Sequence, residues 1–224
     1  MTPSGATAAT PRMLVVNEIF FSIQGEGTRA GKPCVFVRLT GCPLRCVYCD
    51  TAYAFFEGKK VDEDAILAEV GAYPCRTLEL TGGEPLSQPG AFPFVARLLD
   101  LGFEVLIETS GHVSLAALDP RAVVIMDVKT PASGEVDRMD WGNLELLKPG
   151  DEVKFVIADR ADYEWSRDLV RERGLASRCP VLFSPVHEKL APGELARWIL
   201  DEGVPVRLQV QLHKYLWPGV ERGV

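Results

Sequence analysis

Three cysteines lie close together in the run Cys42-Pro43-Leu44-Arg45-Cys46-Val47-Tyr48-Cys49. The C-x₃-C-x₂-C spacing puts three thiols on one short loop, where they can converge on a single metal centre. A structural zinc site wants four protein ligands. No fourth is evident, because Cys34, Cys75 and Cys179 are scattered, each in or beside an apolar run, as small buried hydrophobes are. Three thiolates on a four-iron cluster leave one iron open to a substrate or cofactor. An iron–sulfur cluster kept incomplete is the first reading of this run, and a structural zinc the second.

Two glycine-containing stretches add to the chemistry. Gly82-Gly83-Glu84-Pro85 follows a strand-like run, and its bare backbone lets a ligand approach closely. Phe21-Ser22-Ile23-Gln24-Gly25-Glu26-Gly27 precedes the cysteine loop. A turn there can bring the Gln24 amide and the Glu26 carboxylate to the donor and acceptor edges of a polar heterocycle, or it can be a plain hairpin turn.

The elements that must position these groups follow from the hydrophobic pattern. Strand-like runs are Leu14–Phe20, Cys34–Leu39, Thr77–Thr81, Phe103–Glu108, Val123–Val128, Glu152–Ile157, Pro180–Ser184 and Val206–Gln211, mostly apolar as in fully buried strands. Helix-like segments are Asp62–Ala72, Phe92–Leu101, Ala161–Arg173 and Pro192–Glu202, with acids or proline at their starts and glycine after three of them. The alternation predicts a parallel α/β sheet with helices outside it. About six βα units fit, too few for a closed eight-unit barrel. We expect an open partial barrel, with a doubly wound sheet as the other possibility. Polar residues collect after the runs: Thr81, Glu108, Thr109, Ser110, Asp127, Lys129, Ser184, His213 and Lys214. In parallel α/β folds the C-terminal strand ends share one ligand-binding face.

The chain has 224 residues, 24 Lys and Arg against 31 Asp and Glu, and a formal charge of −7. One domain is the expectation at this length. Net negative charge disfavours non-specific binding to nucleic acid or anionic membrane, and no apolar run approaches a membrane span. Residues 1–13 read as a disordered leader without a secretion signal, Met13 being a possible alternative start. We therefore expect a cytoplasmic protein with reduced thiols.

The Gly41–Asp50 stretch, with an aromatic before its third cysteine, resembles the cluster loop of radical S-adenosylmethionine (SAM) enzymes, and Gly82–Pro85 matches their second motif. Within that superfamily, Gln24-Gly25-Glu26-Gly27, Arg38, Asp50-Thr51 and the ending Leu212-His213-Lys214…Trp217…Arg222-Gly223-Val224 are similar to the 7-carboxy-7-deazaguanine synthase family, from about Val15 to Val224. The resemblance implies a single radical SAM domain over residues 14–224, of the reduced size known in this family. It implies ring contraction of 6-carboxy-5,6,7,8-tetrahydropterin to 7-carboxy-7-deazaguanine and ammonia, in queuosine and 7-deazapurine biosynthesis. The implied cofactors are a [4Fe–4S] cluster, SAM and Mg²⁺. The implied partners are the pterin, a reducing protein such as a flavodoxin, and a second copy in a homodimer.

Residue roles carry over in the same way. Cys42, Cys46 and Cys49 would ligate the cluster. Tyr48, Cys49, Asp50, Gly83, Asp127, Val128, Lys129 and Ser184 would contact SAM, with the Gly83 region accepting from its ammonium. Ile23, Gln24, Gly25, Arg38 and Thr81 would hold the substrate, Arg38 pairing with its carboxylate. Thr51 would ligate Mg²⁺, although a threonine there also suits a helix N-cap. Ser184–His187 falls on a further SAM loop. His213 and Lys214 belong either to a solvated tail or to a lid over the substrate. The rival readings are another small radical SAM enzyme, such as a glycyl-radical activase, and a zinc-stapled binding module.

Overall fold

Each parallel strand that the sequence presents as an apolar run alternates in space between two different surroundings. Odd-numbered residues such as Val35, Val37 and Leu39, or Val153, Phe155 and Ile157, join the core beneath the helices. Their neighbours Phe36 and Arg38, or Lys154 and Val156, face a central cavity. Both faces are covered, one by helices and one by the curl of the sheet, so the strands are long on apolar residues yet carry charges inward.

In this computed structural model residues 12–224 are described. Eleven of the thirteen residues of the expected leader lie outside the described residues, and the last, Met13, begins the first strand. In chain order the elements are β1 (Met13–Ile23), β2 (Pro33–Leu39), β3 (Lys59–Asp62), α1 (Glu63–Gly71), β4 (Thr77–Gly82), α2 (Ala91–Asp100), β5 (Glu104–Thr109), β6 (Val123–Val128), β7 (Glu152–Ile157), α3 (Arg160–Glu172), β8 (Val181–Pro185), α4 (Pro192–Glu202), β9 (Arg207–Leu208) and α5 (Leu212–Leu216). They build one nine-stranded sheet in the order β3-β1-β2-β4-β5-β6-β7-β8-β9. All pairs from β2 to β9 are parallel. The two ends do not pair, which leaves an open partial barrel.

Local signals explain the helices. The Asp62 side chain caps α1 by accepting from Asp64 N at 2.8 Å, and Asp159 caps α3 by accepting from Asp162 N at 3.0 Å. Each cap contributes about 1 kcal/mol. Pro192 opens α4, and Gly203 closes it in the left-handed region at φ 58°, as helix ends prefer.

Several expectations are corrected. β1 runs antiparallel to β2, so Gln24–Gly27 lies in a hairpin connection, and β3 adds an antiparallel edge. The four helices of the parallel crossovers are the four expected, and the crossovers from β5 to β6 and from β6 to β7 carry only bends and short 3₁₀ turns. The last strand shrinks from Val206–Gln211 to Arg207–Leu208. The open edge is bridged instead by hydrogen bonds from Leu212 N to Gly25 O (3.0 Å) and from Gly27 N to Gln209 Oε1 (2.6 Å).

Candidate active site

A cavity of about 500 Å³ occupies the barrel centre, at the C-terminal ends of the parallel strands. The cysteine loop forms part of its wall, and Cys42, Cys46 and Cys49 all line it. Neighbours hold this loop from both sides. Val47 N donates to Ser133 O (3.0 Å), Arg45 N to Glu135 Oε1 (2.7 Å), and the Tyr48 hydroxyl to Val156 O (3.2 Å). The Arg45 guanidinium turns back to the Cys42 carbonyl at 2.7 Å and lies over the Phe55 ring, 4.3 Å from its centroid. Burial pushes the Cys42 thiol up and the Cys46 thiol up to about 11, the latter despite the nearby Lys129. These thiols become thiolates when a cationic centre compensates the charge.

The Gly-Gly pair is packed against this loop. Gly82 sits at φ 138°, and a Cβ there would lie 2.1 Å from Leu39 O. A Cβ on Gly83 would lie 2.4 Å from Gly41 O and 2.8 Å from Cys42 Cβ. Glu84 does not face the ligand space. Its fully buried carboxylate accepts from Leu86 N (3.0 Å), Thr109 Oγ1 (2.9 Å), Ser110 N (2.7 Å) and Ser110 Oγ (2.7 Å). Four donors on one carboxylate tie the turn after β4 to the end of β5 and fix the glycine backbone beside the cysteines.

Opposite the cysteines lies a charged wall. Gln24 Nε2 donates to Glu79, Thr81 Oγ1 to Glu108 Oε2 (3.0 Å), and Lys154 Nζ lies 3.0 Å from Glu26 Oε2 and against Glu108. Burial and the neighbouring Glu108 and Glu26 charges raise the Glu79 pKa well above the carboxylate range. Burial alone would raise Glu108 too, but the Lys154 ammonium wins and brings it down to about 2. Arg38 Nε donates to Glu18 Oε1 at 2.7 Å, and its guanidinium lies between the Phe20 and Tyr53 rings, 5.8 Å from each centroid. The C-terminal segment completes the enclosure. His213 packs on Gly25, Gln211 Nε2 donates to Asp50 Oδ2 (3.1 Å), and Val224 lines the cavity.

The structure therefore brings Ile23, Gln24, Gly25, Arg38, Tyr48, Asp50, Thr51, Thr81, Gly83, Asp127, Lys129 and Ser184 to the same cavity as the three cysteines. Val128 is the exception. Strand alternation turns its side chain into the helix-side core, opposite Asp127 and Lys129. Sequence reasoning passed over Glu79, Lys154 and Gln211. The first two carry a signal: each is a charge set between two apolar neighbours of a strand, Leu78-Glu79-Leu80 and Val153-Lys154-Phe155.

Comparison with known proteins agrees with this geometry. The profile of the Radical SAM superfamily matches residues 36–131, from β2 past the cysteine loop, the Gly-Gly turn and β6. The 7-carboxy-7-deazaguanine synthase of Koribacter versatilis is 46% identical over 93% of this chain and 99% of its own length. That of Chlorobaculum tepidum is 43% identical over 96% of this chain and its full length. The chain belongs to the 7-carboxy-7-deazaguanine synthase family. The crystal structure of QueE from Escherichia coli shares the fold, with a TM-score of 0.76, 24% identity, and coverage of 90% of this chain and 95% of that one. SuiB from Streptococcus suis, bound to SAM, superposes with a TM-score of 0.54 over 76% of this chain and 44% of its own.

Membership in this radical SAM family implies a [4Fe–4S] cluster and SAM, and the residues fit both. The donor set is three thiols, the ligands that iron–sulfur clusters take. Among the described residues no three Cys, His, Asp or Glu side chains meet at the spacing of a single metal ion, as a zinc staple requires. No further cysteine lines the cavity: Cys34 and Cys179 are buried elsewhere, and Cys75 donates to Pro33 O. For SAM, Asp127 Oδ1 is buried without a partner among the described residues. Such an acceptor costs stability unless a ligand group meets it.

Proposed function

We propose that this chain converts 6-carboxy-5,6,7,8-tetrahydropterin into 7-carboxy-7-deazaguanine and ammonia, the product for which its relatives are named. The observation that carries this is the meeting, in one cavity, of the three cysteines, the Gly-Gly turn and the Gln24–Arg38–Thr81 wall. When bound, a reduced [4Fe–4S] cluster and SAM together supply a carbon-centred radical able to take the hydrogen from the substrate carbon that bears the carboxylate.

The protein's part is to bind and orient. Cys42, Cys46 and Cys49 hold the cluster and leave one iron without a protein ligand. The Gly83 backbone accepts from the SAM ammonium, and Tyr48, Cys49 and Asp50 line its other side through their backbone. Asp127 offers its free Oδ1, while its Oδ2 holds Lys129 Nζ at 2.9 Å. Ser184, buried at the end of β8, closes that side. Arg38 has its Nε engaged by Glu18, so its two Nη groups are left to take the substrate carboxylate bidentately. Ile23, Gln24, Gly25 and Thr81 frame the pterin ring. Thr51 lines the same cavity, and its hydroxyl would be a ligand for Mg²⁺, which would supply a hard cation for the substrate carboxylate. A flavodoxin-type protein delivers the electron, and the enzyme works as a cytoplasmic homodimer.

Incubating the reconstituted protein with SAM, the carboxytetrahydropterin and a reductant, without oxygen, tests the reading. Formation of 7-carboxy-7-deazaguanine with release of ammonia is the expected result. SAM cleavage with no deazaguanine product would assign the chain to other radical chemistry, such as activation of a glycyl-radical partner.

A further inference from the structure

Lys154 stands among three carboxylates in the barrel interior. Only 5% of its side chain is exposed. Its Nζ lies 3.0 Å from Glu26 Oε2, bonds the Glu108 carboxylate, and is 3.7 Å from Asp127 Oδ2. These acids come from three separate elements: the β1–β2 connection, β5 and β6. Glu79 of β4 lies on the same wall, buried and bonded by Gln24 Nε2. Of the other cationic side chains facing the cavity, Lys129 is held by Asp127 at 2.9 Å, Arg38 by Glu18 at 2.7 Å, and Lys214 lies 3.7 Å from Asp50, while His213 packs on Gly25. Lys154 is thus the cation that Glu26 and Glu108 share.

A buried ammonium among carboxylates fixes their orientation, and its loss leaves like charges facing one another out of water. Outer donors complete the arrangement. Thr81 Oγ1 reaches Glu108 Oε2 (3.0 Å), Gln209 Nε2 reaches Glu26 Oε2 (2.8 Å), and Gln211 Nε2 reaches Glu26 Oε1 (3.1 Å). The resulting wall presents carboxylate oxygens, which only accept hydrogen bonds. Its complement is a ligand edge of N–H donors, such as the amino group and ring N–H of a fused pyrimidine.

We propose that Lys154 is a positioning residue of the substrate pocket: it holds Glu26 and Glu108 as oriented acceptors for the N–H edge of the heterocycle and does not itself touch the reacting atoms. The inference rests on the pterin reading above and adds to it a residue that binds through its neighbours.

The test compares the cluster-loaded wild type with Lys154→Gln and Lys154→Arg. In Lys154→Gln the KM for the carboxytetrahydropterin rises about tenfold or more while kcat stays within about threefold, because the lost contacts are made equally in ground and transition states. Iron content stays at the wild-type level, and Lys154→Arg restores most of the affinity. An unchanged KM in a cluster-loaded Lys154→Gln overturns the proposal. Should that variant fail to load iron, Glu26→Gln carries the test, since it places a donor on the acceptor wall; an unchanged KM there overturns the proposal equally. If the wild type itself makes no deazaguanine, the functional reading fails, and an infrared titration of the carboxyl groups judges Lys154 without substrate. Glu108, held down to about 2 against its burial by Lys154, should take up its proton at higher pH in Lys154→Gln; identical titrations would refute the positioning role.

Discussion

Burial gives the cysteines of this chain two different uses. Cys46 lines the central cavity beside Cys42 and Cys49, with a thiol raised to about 11 by burial and ready to ionise only against a cationic centre. Cys179 is equally raised by burial, yet it packs in the apolar core with Leu175 and Val181. Replacing Cys46 by Ala should abolish both cluster assembly and turnover, whereas Cys179→Ala should keep both at a cost of about 1 kcal/mol or less in stability. Iron analysis and product formation on the two variants check this, and equal losses in both would contradict the ligand assignment. At this scale the sequence was legible where a residue type announces its chemistry through spacing, as the cysteines and the glycines do. It was not legible for Lys154 and Glu79. A charge between apolar neighbours of a strand reads as an interruption until alternation shows that it faces a cavity rather than the helices.

The turn after β4 shows how an element makes a site from backbone alone. Gly82 needs a conformation at φ 138° that other residues avoid, and Gly83 lies where any Cβ would push on Gly41 and Cys42. Gly83→Ala should therefore separate the turn from the cysteine loop. The expected result is about 1–3 kcal/mol lost in stability and weaker SAM binding by the cluster-loaded protein. Calorimetric titration with SAM measures the second effect, and wild-type affinity in the variant would show that the contact is not needed. Among the elements, β2, β4 to β8 and the helices α1 to α4 were readable to within a residue, because propensity, period and caps agree, while β1 runs three residues past its expected end. β3, β9 and α5 were not. β3 is a Lys-Lys-Val-Asp edge strand, charged as edges are. β9 keeps only Arg207–Leu208 of the run Val206–Gln211, and α5 has five residues, too short for a periodic pattern to emerge.

Charge is distributed unevenly through the molecule, and the interior part governs its response to pH. Glu108 is held down to about 2 in the folded protein, against an ordinary value of 4.5. Its stabilising contribution is present above the ordinary value and is lost as pH falls towards about 2. Glu79 acts in the opposite sense. Burial and the neighbouring Glu108 and Glu26 charges raise its folded pKa well above 4.5, so the unfolded chain releases this proton first. Stability then declines as pH climbs from the ordinary value towards the folded one. Glu79→Gln removes that decline. Thermal unfolding from about pH 5 to about pH 8 should show the variant gaining on the wild type as pH rises; parallel curves would contradict the assignment of a neutral Glu79. The whole-molecule topology was legible in part. Six parallel crossovers match the six units expected from the pattern, but helices cover only four of them. The sequence left a hairpin and a binding turn both open at Gln24-Gly25-Glu26-Gly27. The antiparallel pairing of β1 with β2 makes the stretch a hairpin connection, and its Gln24, Gly25 and Glu26 also line the cavity.

All of this depends on three thiolates holding a cluster that keeps one iron free of protein ligands. The most direct measurement is iron and acid-labile sulfide per chain on oxygen-free protein, with the spectrum of the reduced centre recorded before and after SAM. We predict about four irons and about four sulfides, with a spectrum that changes on adding SAM. One zinc with no sulfide, or a full cluster whose spectrum ignores SAM, would contradict the account.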